Sequence, residues 1–221
     1  MSSSAMQESE ARAELCRIYR NIESAGLSLG NAGNISIRWG EHMLISPTGA
    51  DGATVAPDDF VLTQFDGTAL SQGVPSSEWA IHGGLYAEGL AQAVIHAHPD
   101  SCVALSCLRR PIPPFHYMIA SFGGHEVPCA PYAPFGTTAL ADGVVATLKT
   151  GYSACLMANH GVVCLGSTLA QAFARTVKLE MLARQYRLAR QAGEIVHLTP
   201  DEMDIVLARY ADYGRARLAN S

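Results

Sequence analysis

From about Ala11 to Ala25, Leu15, Ile18, Tyr19 and Ile22 recur at i, i+3, i+4 and i+7. That spacing predicts one apolar helix face, with Gly26 placed to end it. The period then drops to two. Ile35-Ser36-Ile37-Arg38 alternates as a strand, Gly40-Glu41 reads as a hairpin turn into Met43 to Ser46, and Pro47-Thr48-Gly49 stops the second arm. A further hairpin is predicted at Phe60 to Phe65 with Asp66-Gly67 as its turn. Pro75-Ser76-Ser77 supplies helix-start chemistry ahead of Ile81, Leu85 and Tyr86, which puts Glu78 in the first helical turn.

Gln92 to Ile95 is a short apolar run ending in His96-Ala97-His98-Pro99, and it reads as a buried strand stopped by proline. Ser101 to Leu108 and Leu140 to Leu148 are helical in pattern. Between them, Pro111 to Thr137 is dense in Pro, Gly and aromatics, either an irregular binding loop or several short strands. Ala154 to Ala158 and Val162 to Leu165 read as two strands around the corner Asn159-His160-Gly161. The longest helix is predicted from Leu169 to Ala192. Thr168 and Gln171 form a capping box at its start, Leu169, Phe173, Val177 and Met181 lie along one face, and Gly193 closes it. A last helix starts at Thr199-Pro200-Asp201-Glu202. Hairpins early, helices throughout and several central strands predict an α/β chain of the α+β type, a mostly antiparallel sheet flanked by helices.

Composition narrows the class. At 221 residues, 48% of them hydrophobic, one substantial core is expected, a single domain over residues 11–221 after a polar tail over residues 1–10. A net charge of -5 and the lack of Lys/Arg clusters argue against nucleic acid as a partner. Neither a signal peptide nor a membrane-length apolar run is present. The six cysteines show no CxxC pairing and sit mostly in apolar runs, as expected of a chain in the reducing cytoplasm.

Three stretches could carry chemistry. On a strand His96 and His98 point the same way, roughly 7 Å apart at about 3.3 Å rise per residue. Two imidazoles so placed suit one metal ion, and they suit equally well a pair of histidines bonded to carbonyl oxygens. His160 would complete a three-histidine site with an open position, the arrangement of a catalytic zinc. Gly161 beside it would let the ring turn inward, and the plainer alternative is a turn histidine facing water. Glu78 either favours the positive end of its helix or serves as a fourth ligand and general base. His82, one turn on, is a rival ligand or a packing residue. Asn34, Thr48, Gly49, Ser76 and Ser77 are short polar or glycine residues at strand ends and a helix start. They either cap and turn the chain or hold a phosphate without a Lys/Arg cluster. With Lys149 and Lys178 as the chain's lysines, both in or beside helical patterns, a Schiff base is disfavoured.

Taken in order, Gly33-Asn34-Ile35-Ser36-Ile37-Arg38, Ile45-Ser46-Pro47-Thr48-Gly49, Pro75-Ser76-Ser77-Glu78, Val94-Ile95-His96-Ala97-His98 and Asn159-His160-Gly161-Val162-Val163 resemble the class II aldolase/adducin family, with family-like spacing from first helix to last. The stretches His116 to Ala120, Pro128 to Ala133 and Phe135-Gly136-Thr137 most resemble members acting on L-fuculose 1-phosphate. The resemblance implies a class II aldolase-like fold over residues 11–221 and zinc (or Mn2+ or Co2+) on His96, His98, His160 and Glu78. It implies Glu78 as acid/base and phosphate contacts from Asn34, Thr48, Gly49, Ser76 and Ser77. Tyr117 matches the family's catalytic tyrosine, which reaches a neighbouring subunit's site in a C4 homotetramer, and Tyr213 matches a C-terminal tyrosine that covers the site. The implied reaction is cleavage of a ketose 1-phosphate to dihydroxyacetone phosphate and an aldehyde through an enediolate. A decarboxylase of a 3-oxo sugar-acid phosphate and a sugar-phosphate 4-epimerase are the family's alternatives. The epimerases typically carry Asp at the position of Glu78, and an adducin-like binding module lacks the metal histidines.

Overall fold

Helix α1 (Glu8–Ser24) buries Leu15, Ile18, Tyr19 and Ile22, the face its spacing predicts. The computed structural model describes residues 8–219, with side chains described through residue 211. The tail expected over residues 1–10 therefore lies outside the described residues as far as residue 7, and Glu8 to Glu10 already belong to α1. Past the helix, Gly26 takes a positive φ of 67° and Leu27 N–H donates back to the Ile22 carbonyl, closing the end as a glycine in this position does.

Seven strands follow: β1 (Asn34–Trp39), β2 (His42–Ile45), β3 (Val61–Gln64), β4 (Ala93–Ala97), β5 (Cys129–Ala130), β6 (Ala154–Met157) and β7 (Gly161–Gly166). They form one sheet in the order β3-β2-β1-β4-β7-β6-β5, antiparallel throughout except for β5 on β6. Both predicted hairpins are present, the second with its turn at Asp66-Gly67 and its return arm reduced to one bridge, Thr63 to Ala69. The helices are α2 (Trp79–Ala87), α3 (Asp100–Ser106), α4 (Thr138–Leu148), α5 (Leu169–Ala192) and α6 (Pro200–Ala219).

Side-chain alternation along the strands divides the core in two. Ile35, Ile95, Ala97, Leu156 and Cys164 pack with α1 and α5 on one face, while Met43, Val94, Cys155 and Val163 pack with α2 and α4 on the other. Both faces are covered, which is why the central strands read as nearly unbroken apolar runs. β4 lies at the middle of the sheet between β1 and β7. Its second face carries Val94 and then His96, so the first histidine emerges on the side where α2 begins.

Two local expectations need correction. The buried face of α5 is Leu169, Ala172, Thr176, Leu179 and Ala183, whereas Val177 and Met181 are exposed. Steps of four residues drift about 40° each around a helix of 3.6 residues per turn, so the predicted row rotates off the core by its third member. The Thr168 hydroxyl accepts from Gln171 N–H, but Gln171 reaches back to Ser167 instead of Thr168, so the box is half formed. At α6 the box is complete between Thr199 and Glu202. The segment from Pro111 to Thr137 combines the two readings offered for it: an Ile112 to Val127 bridge, a 3-10 turn at Tyr117–Phe122 and the two-residue β5, joined by irregular chain.

Candidate metal centre and cleft

His96 is the last inward-facing residue of β4. Its Nδ1–H donates to the Val162 carbonyl on β7 at 2.9 Å, so in the neutral ring Nε2 is left bare, facing His98 and Glu78. His98 lies just past the strand, where its backbone N–H is fixed by the Leu27 carbonyl and the Ser28 hydroxyl, both at 3.1 Å. Its Nε2 stands 2.8 Å from that of His96. The alternation that predicts a common direction for these two rings holds.

His160 arrives from the β6–β7 turn. Its N–H is held by the Met157 carbonyl at 3.0 Å, and its ring meets those of His96 and His98 at centroid distances of 4.8 and 4.9 Å. One ring nitrogen from each of the three histidines lies within 4.8 Å of the others. The backbone reason differs from the one expected at the sequence level. The left-handed residue of the turn is Asn159, with φ 53°, and Gly161 serves close approach: a Cβ there would sit 2.5 Å from the Ala97 carbonyl oxygen and 2.8 Å from the His98 ring. Gly33 plays the same part on the other flank, where a Cβ would meet the His96 carbonyl oxygen at 2.7 Å.

Glu78 is not in the first turn of α2 but at its N-cap position, and its side chain makes no capping bond. It turns to the histidines instead, with Oε2 3.1 Å from His96 Nε2 and Oε1 3.5 Å from His160 Nε2. Oε2 accepts a hydrogen bond from Asn34 Nδ2 at 3.0 Å, while Oε1 is buried without a hydrogen-bond partner among the described residues. Burial by itself would raise the carboxyl pKa, but His96, His160 and the Asn34 amide together hold it well below the usual carboxylate range. His98 is pushed down to about 3 and His160 is lowered, in both cases by burial first and by neighbouring histidines second.

These residues fit a divalent cation. Bare imidazole nitrogens and an ionised carboxylate are all electron-pair donors, and packed this closely they repel one another until a cation lies among them. The unpartnered Oε1 of Glu78 and the Nδ1–H to carbonyl bond of His96 are what a metal site of this donor set requires. His82, the rival ligand, is held elsewhere: its Nε2 is 2.6 Å from Asn34 Oδ1.

Glu78, His98 and His160 line a cleft of about 340 Å³, while His96 is buried beside them. Thr48, Gly49, Ser76 and Ser77 line the cleft together with Tyr132, Ala133 and Phe135, and among the described residues no lysine or arginine does. Asn34 also borders the cleft, with its amide engaged by Glu78 and His82. Tyr132 and Phe135 escape a site assignment from sequence because they sit in the segment without a period. Tyr117 does not line its own chain's cleft. It stands half-exposed in the 3-10 turn, stacked on His116. Tyr213 falls within the helical backbone of α6, outside the residues whose side chains are described.

Residues 13–187 match the family model described as Class II Aldolase and Adducin N-terminal domain. The chain is 40% identical to the 5-methylthioribulose-1-phosphate/5-deoxyribulose-1-phosphate aldolase of Rhodospirillum rubrum, over 88% of each chain. It is 35% identical to the L-fuculose phosphate aldolase of Haemophilus influenzae, over 95% of this chain and 97% of that one. A solved structure of an L-fuculose 1-phosphate aldolase superposes with a TM-score of 0.87 at 33% identity, covering 96% of this chain and 98% of its own. Agreement of this extent in sequence and in strand-by-strand architecture places the chain in the class II aldolase/adducin family.

Proposed function

We propose that this protein is a zinc-dependent aldolase that cleaves a ketose 1-phosphate to dihydroxyacetone phosphate and an aldehyde. The observation that carries the reading is the convergence of His96, His98, His160 and an unpartnered Glu78 oxygen beside a cleft that is also lined by the hydroxyls of Thr48, Ser76 and Ser77. Relatives named for three different ketose phosphates support the substrate class. His96, His98 and His160 with Glu78 would hold the ion, with Mn2+ or Co2+ as alternatives to zinc. When bound, such an ion supplies Lewis-acid polarisation of a substrate carbonyl.

The chain's own groups do the remainder. Thr48, Gly49, Ser76, Ser77 and the start of α2 bind the phosphate through hydroxyl and amide donors, with Asn34 at the border between phosphate and carboxylate. Cleavage breaks the C3–C4 bond, leaving its electron pair on C3 and turning the C4 hydroxyl into an aldehyde carbonyl. Glu78, beside the histidines, shuttles a proton from solvent to C3 in cleavage and from C3 to solvent in the reverse direction. Tyr117, supplied by a neighbouring copy in a C4 tetramer, takes the proton from the C4 oxygen, and Tyr213 of the last helix covers the cleft. The apolar wall of Tyr132, Ala133 and Phe135 faces the departing aldehyde and suits a chain end lacking a hydroxyl. Six free thiols fit a cytoplasmic enzyme, and among the described residues no helix is long and apolar enough to cross a membrane.

The test is direct. Metal-loaded protein is incubated with a panel of ketose 1-phosphates and 3-oxo acid phosphates, and triose phosphate release is expected. Carbon dioxide in its place would make the protein one of the family's decarboxylases. Glu78→Gln is expected to keep the metal and lose exchange of the C3 proton of dihydroxyacetone phosphate, and exchange at the native rate would remove Glu78 from the mechanism.

A further inference from the structure

Behind Glu78 a file of buried polar side chains runs away from the cleft, between α2 and β1. Helix α2 places Glu78 at its cap, His82 one turn on and Tyr86 one turn further, and β1 places Asn34 and Ser36 on one face. None of the five is more than 7% exposed. Asn34 Nδ2 is 3.0 Å from Glu78 Oε2, His82 Nε2 is 2.6 Å from Asn34 Oδ1, and Ser36 Oγ is 2.6 Å from both His82 Nδ1 and the Tyr86 hydroxyl.

Donor and acceptor chemistry gives these contacts a direction. A carboxylate oxygen only accepts, so Asn34 turns its NH2 to Glu78 and its carbonyl oxygen to His82. That oxygen only accepts, so His82 carries its proton on Nε2. The ring is wholly buried, and burial first, with His96 second, pushes its pKa far below the ordinary histidine value. In the neutral ring Nδ1 is bare and accepts from the Ser36 hydroxyl, whose oxygen accepts in turn from Tyr86.

Two features set this file apart from ordinary core filling. Around it this half of the core packs Ile81, Leu85, Val94 and Val163, and buried polar groups there carry a desolvation penalty that aliphatic ones lack. The file is also open at one end: it stops at Glu78 Oε1, which has no hydrogen-bond partner among the described residues and lies 3.5 Å from His160 Nε2.

We propose that Tyr86, Ser36, His82 and Asn34 form a one-way relay of donors that locks Glu78 in a single orientation, with Oε1 bare and directed at the three histidines, and that His82 is the positioning residue of this lock. A change of tautomer at His82 would turn the Asn34 amide round and set its carbonyl oxygen against the carboxylate. The proposal rests on Glu78 serving the site and assigns the residues that hold it there.

The test needs no substrate. Long-range proton–nitrogen correlation spectra of the full chain, with and without zinc, should show His82 as the neutral Nε2–H tautomer in both. Cobalt(II), added to the metal-free protein, reports the site through its visible absorption and through competition with a chelator. His82→Leu, checked for folding by its thermal melt, should weaken cobalt binding about 10- to 100-fold and change the spectrum, the size of effect seen when partners of ligands are removed. His82→Gln, which keeps an N–H towards Asn34, should restore most of the affinity. Ser36→Ala, a small change that leaves the fold intact, should shift the tautomer balance of His82. A protonated or Nδ1–H His82 in the native protein overturns the relay, as does a folded His82→Leu with native cobalt affinity and spectrum. Failure of the native chain to take up cobalt at all would overturn the metal reading of the site, with the tautomer spectrum still deciding the relay.

Discussion

The Nδ1–H of His96 donates to the carbonyl of Val162, 2.9 Å away on the neighbouring strand. A carbonyl cannot donate, so the bond dictates the tautomer, and the tautomer leaves Nε2 as a bare electron pair facing His98 and Glu78. A side-chain bond across the β4–β7 pair thus prepares a candidate ligand. His96→Ala removes the ligand atom and the side-chain bond to the Val162 carbonyl together. Bound metal, measured by elemental analysis, is expected to fall to less than about a tenth of stoichiometric, and urea denaturation should show a loss of about 1–3 kcal/mol.

Gly161 tests whether close approach of two strands is what holds His98. In Gly161→Ala the new methyl lies 2.5 Å from a backbone oxygen and 2.8 Å from the His98 ring, so something must move. We expect a stability loss of about 1–3 kcal/mol by urea denaturation together with weaker zinc binding in a chelator competition. Unchanged zinc affinity would show that His98 is positioned from elsewhere.

Acid should weaken the metal-free protein through its buried histidines. His82, lowered by burial and then by His96 to about 3, stays neutral in the folded chain while its unfolded counterpart takes up a proton near 6.5. Below that pH the unfolded state binds more protons, so stability falls with pH at up to about 1.4 kcal/mol per unit, and His98 acts in the same direction. Glu78, held below its ordinary 4.5, contributes stability that is present above that pH and lost only below it. The melting temperature of metal-free protein is therefore expected to drop between pH 6.5 and 4.5, and to drop less steeply in His82→Gln.

The hydroxyl wall should act on binding more than on chemistry. On the proposed function, Ser77→Ala and Thr48→Ala each remove one donor to a charged phosphate, a contact of about 1.5–3 kcal/mol. The expected result is a rise in KM of about tenfold or more with kcat little changed. An equal fall in kcat and kcat/KM would mean instead that the hydroxyls act on the transition state.

Periodicity, with the turn and cap residues, determined most elements of this chain, because together they report which face of a segment is apolar and where the segment stops. The face of α1, both hairpins, the extent of α5, the cap of α6 and the common direction of His96 and His98 were legible for that reason. Periodicity is silent about partners, and partners made the site. Pairing of Ala97 with Val162 across β4 and β7 brings His160 to the other two rings, and pairing of Asn34 with His96 across β1 and β4 sets the amide that holds Glu78. Neither register is written in any local stretch, since both follow from burying two faces of one sheet at once. The same holds for Glu78. Its place at a helix start was readable, but its turn away from capping depended on three histidines delivered by distant strands, and on a buried file of polar groups behind it that only packing assembled.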